Sequence, residues 1–459
     1  MSQMLKVKNP YSQESVGEYH FDNLESVKSK FNKVKEAQKI WRKIPLEKRI
    51  TEVKNALDYF TKNKDAVARD ISMQMGRPIS QAGGEIGGLL ERANYLCSIA
   101  AESLKTVTLP EKPGFYRAIE REPLGIIFII SAWNFPLLVT INSVVPALLA
   151  GNVVILKHSS QTPAIGEHFQ KAFNNLAGVS GLLQQVIVDH ETTGKIIEDL
   201  DIQHVVFTGS VNGGAQILKH TAKKFMQPQL ELGGKDAAYV AEDADIAAAA
   251  ATVVDGAMFN SGQSCCGIER AYVHKSVYQE FINQCVKVIA DYKLGDPADP
   301  KTNLGPLVSE KAAHFVDDQV KNAVKLGAKV LTGGKISKIA AGFFFEPTLM
   351  TDVKQNMDIM QEENFAPVLP VLPVDSIEQA ITFVNDSQYG LTSAIFTKDM
   401  DKAKVFAAQV NTGTVFMNRC DYLDPALPWT GVKNSGSGSA LSHLGFLSVT
   451  RAKAIHFKK

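Results

Sequence analysis

The run Gly125-Ile126-Ile127-Phe128-Ile129-Ile130 decides the fold. Unbroken β-forming apolar residues, with no polar alternation, suit a strand buried on both faces of a parallel sheet. Asn152-Val153-Val154-Ile155-Leu156-Lys157 repeats that character after an apolar helical stretch at 137–150. Further on come a helix at 163–176, a strand at 185–188 and a helix at 192–200. A strand at 203–207, a helix at 213–225 and a strand at 229–232 complete the series. Strand and helix in strict alternation predict an α/β fold built on a doubly wound parallel sheet. Such sheets bind ligands beyond the carboxyl ends of their strands. The polar residues just past those ends are Ser131 to Asn134, Lys157 to Gln161, Thr208 to Ser210, and Glu231. The region holds no G-x-G-x-x-G. Phe207-Thr208-Gly209-Ser210 is a shorter strand-to-helix turn whose backbone N–H groups suit a phosphate.

Upstream, residues up to about 20 read as extended, with Asn9-Pro10 as a turn. From 24 to 99 the spacing is helical: Val27, Phe31, Val34 and Ala37, then Ile50, Val53, Leu57 and Phe60. Charged residues on the other faces make these amphipathic covers. Residues 106–122, with Pro110, Pro113 and Gly114, read as an exposed strand pair. After Gly233-Gly234 a second alternating half begins. It has helices at 245–258, 277–292 and 310–326, strands at 271–273 and 413–417, and a Gly/Ser-rich loop at 430–439.

At 459 residues the chain is too long for one ordinary core. Its 45% hydrophobic and 21% charged residues are the balance of a soluble globular protein. A net charge of +1 gives no reason to expect nucleic acid or an anionic membrane as partner. Five scattered cysteines are not a disulfide framework, and a cytoplasmic location is expected. The longest apolar run, 124–138, is interrupted by Ser131, Asn134 and Pro136 and is too short to span a bilayer.

The second half contains Phe259-Asn260-Ser261-Gly262-Gln263-Ser264-Cys265-Cys266-Gly267-Ile268-Glu269-Arg270. Two adjacent thiols sit in a turn of small residues. No further Cys or His lies nearby in sequence, so a metal site is not expected. The thiols are either small core residues or a nucleophile with its neighbour.

Five motifs stand in order: Pro123-Leu124-Gly125 with Trp133-Asn134-Phe135-Pro136, Phe207-Thr208-Gly209-Ser210, Glu231-Leu232-Gly233-Gly234-Lys235, Gly262-Gln263-Ser264-Cys265, and Glu363-Asn364-Phe365-Ala366-Pro367. With them the chain resembles the aldehyde dehydrogenase superfamily over nearly its whole length. The resemblance implies Cys265 as the nucleophile, with Asn134 and the Cys265 N–H binding the oxyanion. Glu231 is then the base that activates water to hydrolyse a thioester. The implied cofactor is NAD or NADP. Backbone at Ser131, Ala132 and Trp133 would flank it, Lys157 would reach the adenosine ribose, and Thr208, Gly209 and Ser210 the pyrophosphate. Leu232, Gly233, Glu363 and Phe365 would meet the nicotinamide side.

Departures from the family pattern carry their own expectations. Ser160 stands where many NAD-preferring members have Glu, which lowers the electrostatic cost of a 2′-phosphate and favours NADP. Asn142 and Ser143 stand where binders of succinate semialdehyde commonly carry Arg and Lys, which disfavours that substrate. The segment 419–424, with Asp421, Tyr422 and Asp424, occupies the substrate entrance and suits a cationic aldehyde.

The resemblance further implies a dinucleotide-binding domain at 1–105 and 122–233 and a catalytic domain at 234–447. A small β oligomerisation extension at 106–121 and 448–459 is expected to make a homodimer or homotetramer. The rival readings are a CoA-acylating dehydrogenase and a non-catalytic binding protein on the same fold. The first generally lacks the hydrolytic Glu. The intact set Asn134, Glu231 and Cys265 speaks against the second.

Overall fold

The computed structural model describes residues 4–420 and 422–459. A hairpin of β1 (Met4–Lys8) and β2 (Ser15–His20) turns where the Asn9 side chain accepts the N–H groups of Tyr11 and Ser12. Helices α1 (Leu24–Trp41), α2 (Leu46–Lys62), α3 (Lys64–Met75) and α4 (Ile79–Ser103) follow. Asn23 caps α1 through the Ser26 N–H, and Gly76 closes α3 in the left-handed region at φ 83°. Strands β3 (Val107–Thr108) and β4 (Phe115–Pro123) form the antiparallel pair expected at 106–122.

Next come β5 (Ile126–Ser131), α5 (Leu138–Ala150), β6 (Val153–His158) and α6 (Pro163–Phe173). Helix α6 stops earlier than the pattern suggested. A two-residue turn at Ala177 and Gly178, both at positive φ, folds β7 (Asn175–Leu176) onto β8 (Val179–Ser180). Strand β9 (Leu183–Gln185) lies a little before its expected place, because the Ile187 N–H is drawn to the Asp22 carboxylate. The series ends with α7 (His190–Asp199), β10 (His204–Thr208), α8 (Val211–Thr221) and β11 (Gln229–Glu231).

The second half opens with β12 (Asp236–Val240), which sequence reading missed, then α9 (Ile246–Met258), β13 (Ile268–His274), α10 (Tyr278–Ile289) and α11 (Glu310–Lys325). Strands β14 (Lys329–Thr332), β15 (Ile336–Ile339), β16 (Gly342–Phe345) and β17 (Thr348–Thr351) follow. After them come β18 (Val368–Val374), β19 (Thr392–Phe396) and β20 (Thr414–Met417). The loop expected at 430–439 contains β21 (Gly436–Ser437), and the chain ends in β22 (Thr450–Lys458).

Three sheets organise these elements. The first has the order β21-β11-β10-β5-β6-β9 and is parallel except for β21. The second is β14-β17-β18-β13-β12-β19-β20, and the third is β22-β4-β3. Every residue of β5 and β6 is buried, as expected of strands covered on both faces. The α/β reading with a doubly wound parallel sheet is borne out.

The first core also takes in Trp429, Ala440, Leu441, Phe446 and Val449 from the end of the chain. Helix α5 is buried on nearly all sides, and Trp41 Nε1 donates to the Leu148 carbonyl 2.8 Å away. In the first sheet the chain runs outward from β5 through β6 to β9, then returns to the other side of β5 at β10. That reversal leaves a crevice between the carboxyl ends of β5 and β10.

Candidate active site

The crevice is where the expected residues gather. Beyond β5 stand Ala132, Trp133 and Asn134, and beyond β10 stand Gly209 and Ser210. These line a cavity of about 220 Å³ together with Thr208, Leu232, Gly233, Cys265, Glu363 and Phe365. Ser210 caps α8 by accepting the Gly213 N–H, which leaves other N–H groups of that first turn for an anion. Ser131, Lys157 and Ser160 do not line this cavity. Ser131 is buried and accepts the Thr140 hydroxyl at 2.8 Å. Ser160 is exposed in the turn after β6. Lys157 is buried at the end of β6, and its ammonium has no ion-pair partner among the described residues.

A second cavity of about 400 Å³ shares Thr208 and Cys265 with the first and adds Glu231, Cys266 and Asn142. The nucleophile candidate thus sits where the two spaces meet. Its presentation depends on strained backbone: Asn260, Ser261 and Gly262 all lie at positive φ, of 54°, 58° and 70°. Surrounding bonds hold them there. The Asn260 side chain donates to the Asn134 and Gln263 carbonyls, at 3.2 and 3.0 Å, and accepts from Arg77 Nε at 3.0 Å. Ser261 Oγ donates to the Gly305 carbonyl at 2.8 Å.

The electrostatics separate the two acid–base partners. The Cys265 thiol is pushed well up by its hydrogen bond with Cys266, then by burial and by the charges of Asp236 and Glu363. It is therefore not ionised in advance, and it needs a base. Burial raises Glu231 to about 7, although Gln229 Nε2 donates to it at 3.0 Å and Arg92 and Thr208 also favour the carboxylate. A carboxyl group poised there accepts and releases protons near neutrality. Glu363 is pushed to about 8 by burial and by Glu269, against the Gly234 N–H that it accepts at 2.9 Å.

Several contributors were not legible in advance. Glu269 accepts from Lys235 Nζ at 2.9 Å and from the N–H groups of Asn364 and Phe365 at 2.7 and 2.9 Å. It thereby holds the segment carrying Glu363 and Phe365. Glu85 and Arg92 come from α4 and Arg77 from the link before it, and all three line the larger cavity. Nothing in a helical pattern distinguishes such inward charges from solvated ones.

The entrance segment departs from expectation. It turns Arg419, Tyr422 and Leu423 toward the larger cavity, with the guanidinium 4.2 Å from the Tyr422 ring centre. Asp424 lines an adjoining space that shares Arg419, Tyr422, Leu423 and Trp429 with the larger cavity, and Asp421 lies outside the described residues. The described wall is cationic and aromatic rather than acidic. No group of three or more His, Cys, Asp or Glu able to hold a metal occurs among the described residues. Nor does any described helix have the length and apolar character to cross a membrane.

Comparison with known proteins agrees with this geometry. The model of the aldehyde dehydrogenase family matches residues 1–455. A succinate-semialdehyde dehydrogenase [NADP(+)] of Deinococcus radiodurans is 31% identical over 447 residues, which is 97% of this chain and 93% of that protein. Among solved structures, that of Gox0499 superposes with a TM-score of 0.95 at 33% identity, covering 98% of this chain and 99% of the other. Lactaldehyde dehydrogenase from Escherichia coli gives 0.96 at 28%, covering 100% and 96%. By sequence along nearly its full length, the chain belongs to the aldehyde dehydrogenase family.

Proposed function

We propose that the protein oxidises an aldehyde to a carboxylic acid with NAD or NADP, through a covalent thioester on Cys265. The observation that carries this is the shared placement of a thiol and a carboxyl raised to about 7 in one cavity, next to the crevice at the sheet reversal. Glu231 takes the Cys265 proton, and the sulfur adds to the carbonyl carbon. The Asn134 side chain and the Cys265 N–H donate to the oxygen as it gains charge. NAD or NADP, held by the residues of the crevice, would supply the acceptor for the hydride of this carbon. Glu231 releases the thiol proton to solvent and then deprotonates a water that attacks the thioester carbon; the C–S bond breaks, the sulfur takes that proton back from Glu231, and the acid departs.

The residues in the crevice fit a dinucleotide. Glu363 accepts one hydrogen bond, from the Gly234 N–H, which leaves acceptor capacity for ribose hydroxyls. Lys157 offers a buried ammonium at the end of β6, without an ion-pair partner among the described residues. Exposed Ser160 beside it presents no carboxylate against a 2′-phosphate, which supports NADP use, as does the NADP+ in the name of the Deinococcus relative.

Residues 1–105 and 122–233 make the cofactor unit in this reading, and 234–447 the catalytic one. The remaining segments, 106–121 and 448–459, join subunits into a homodimer or homotetramer through the open edge of β22, where Phe457 is exposed. The test is steady-state turnover of an aldehyde panel with both cofactors, with and without CoA, in the wild type and in Cys265→Ser. Free acid formed without CoA and lost in the variant is expected. Undiminished turnover in Cys265→Ser removes the assigned nucleophile, and an obligatory need for CoA replaces hydrolysis by acyl transfer.

A further inference from the structure

The larger cavity is mostly apolar, walled by Phe135, Leu138, Val139, Phe259 and Trp429, yet α4 places the guanidinium of Arg92 in its lining. Arg92 is only 7% exposed. Among the described residues its one hydrogen bond is from Nη1 to Asn142 Oδ1, at 3.2 Å, and it makes no ion pair. A guanidinium has five N–H donors, and a buried charge without a counter-charge is costly.

The nearby carboxyl groups are engaged elsewhere. Glu85 is bound to Arg77 at 2.5 Å and accepts the N–H groups of Leu137 and Leu138. Glu91 accepts the Tyr422 hydroxyl. Glu231 is held by Gln229; it attracts Arg92 through space but makes no ion pair or hydrogen bond with it among the described residues. Arg92 is thus a desolvated cation with free donors, facing the space that Cys265 also faces.

We infer that Arg92, held by Asn142, is a subsite for a carboxylate at the far end of the aldehyde, so that the preferred substrates are ω-carboxylated aldehydes. One guanidinium matches one carboxylate in charge and in its two-pronged geometry. The apolar walls suit the few methylene groups between the two ends. This deepens the reading of Cys265 as nucleophile and rests on it. It also reverses the expectation that Asn142 and Ser143 disfavour such substrates: α4 supplies the cation that α5 lacks.

The test compares kcat/KM for succinate and glutarate semialdehydes with that for butanal and pentanal, in the wild type, Arg92→Met and Arg92→Lys. Charged hydrogen bonds of this kind are worth roughly ten- to hundredfold. The wild type is expected to favour the carboxylated aldehydes by at least about tenfold. Arg92→Met should bring that ratio close to one. Arg92→Lys, which keeps the charge without the fork, should fall between. Removing the cation also shifts Glu231, but that affects both substrate classes and cancels in the ratio.

Succinate gives a second readout, as a competitive inhibitor whose inhibition constant should rise roughly tenfold or more in Arg92→Met. A wild type with no carboxylate preference, or a ratio unmoved by Arg92→Met, overturns the proposal. If neutral aldehydes are still oxidised in those cases, the nucleophile reading stands. If no aldehyde is oxidised with either cofactor, both readings fall together.

Discussion

Arg77 Nη1 and Glu85 Oε2 lie 2.5 Å apart with both side chains almost wholly buried, and the pair holds two halves of the candidate site in register. Glu85 Oε1 accepts the Leu137 and Leu138 N–H groups at the entry to α5, just after Asn134. Arg77 reaches the Asn134 carbonyl through Nη2 and Asn260 Oδ1 through Nε. Removing one member strands the other in an environment that cannot solvate it.

Glu85→Gln should therefore destabilise the fold by about 3–5 kcal/mol, read by urea unfolding. The double variant Arg77→Leu/Glu85→Leu should recover much of that loss, because no charge is left unpaired. Its kcat should stay depressed all the same, because Asn134 and Asn260 lose their anchor. Full activity in the double variant would falsify the positioning role.

Glu231 links activity and stability to pH in opposite senses. In its proposed role as base it works ionised, so kcat/KM should rise with pH through a limb near 7, its folded value. In the unfolded chain the same group titrates near 4.5. Its folded value is raised, so its contribution to stability is full below about 4.5 and is lost as pH rises through about 7. The loss amounts to about 3 kcal/mol at pH 8. Glu231→Gln should melt higher than the wild type at pH 8, with the difference shrinking toward pH 5. It should also be nearly inactive. A pH-independent melting difference removes this account.

In the proposed mechanism Asn134 donates to the oxyanion, and Gly234 packs against the thiol turn. Asn134→Ala should lower kcat by about a hundred- to a thousandfold with a smaller change in KM, the loss expected of one oxyanion donor. A methyl group on Gly234 would overlap the Cys265 carbonyl oxygen. Gly234→Ala should thus displace the turn and lower kcat at least tenfold, and cost roughly 1–3 kcal/mol in thermal unfolding. An unaffected Gly234→Ala would mean that the turn gives way freely.

Ser160 offers a cofactor test independent of the chemistry. Ser160→Glu sets a carboxylate beside the Lys157 end of β6. It should lower kcat/KM for NADP at least tenfold while leaving NAD much less affected, since only NADP brings a dianion there. Equal losses with both cofactors would place the 2′-position elsewhere.

What the sequence made legible was whatever local pattern determines. The buried run of β5, the strand ends carrying Asn134 and Glu231, and the thiol turn all declare themselves within a few residues. Strand β12 did not, because Asp236-Ala237-Ala238-Tyr239-Val240 lacks a long branched run and follows directly on a glycine pair. The clamp by Glu269 was hidden in a quoted stretch, because its partners Lys235, Asn364 and Phe365 are remote in sequence. Arg92 looked like any charge on an amphipathic helix. Its inward aim arises from how α4 lies on α5, which no spacing records.

Strand β21 has a consequence for how the molecule comes into being. It completes the edge of a sheet whose other strands all precede residue 232, and the Asn152 side chain donates to the Val449 carbonyl. During synthesis at about 5–20 residues per second, β11 waits roughly 10–40 s for its neighbour to be made. Through that interval the nascent first half has an unpaired strand edge and an uncovered apolar surface. A chain interrupted before residue 436 keeps both permanently, so premature termination should send this protein toward aggregation rather than toward a shorter, working fold.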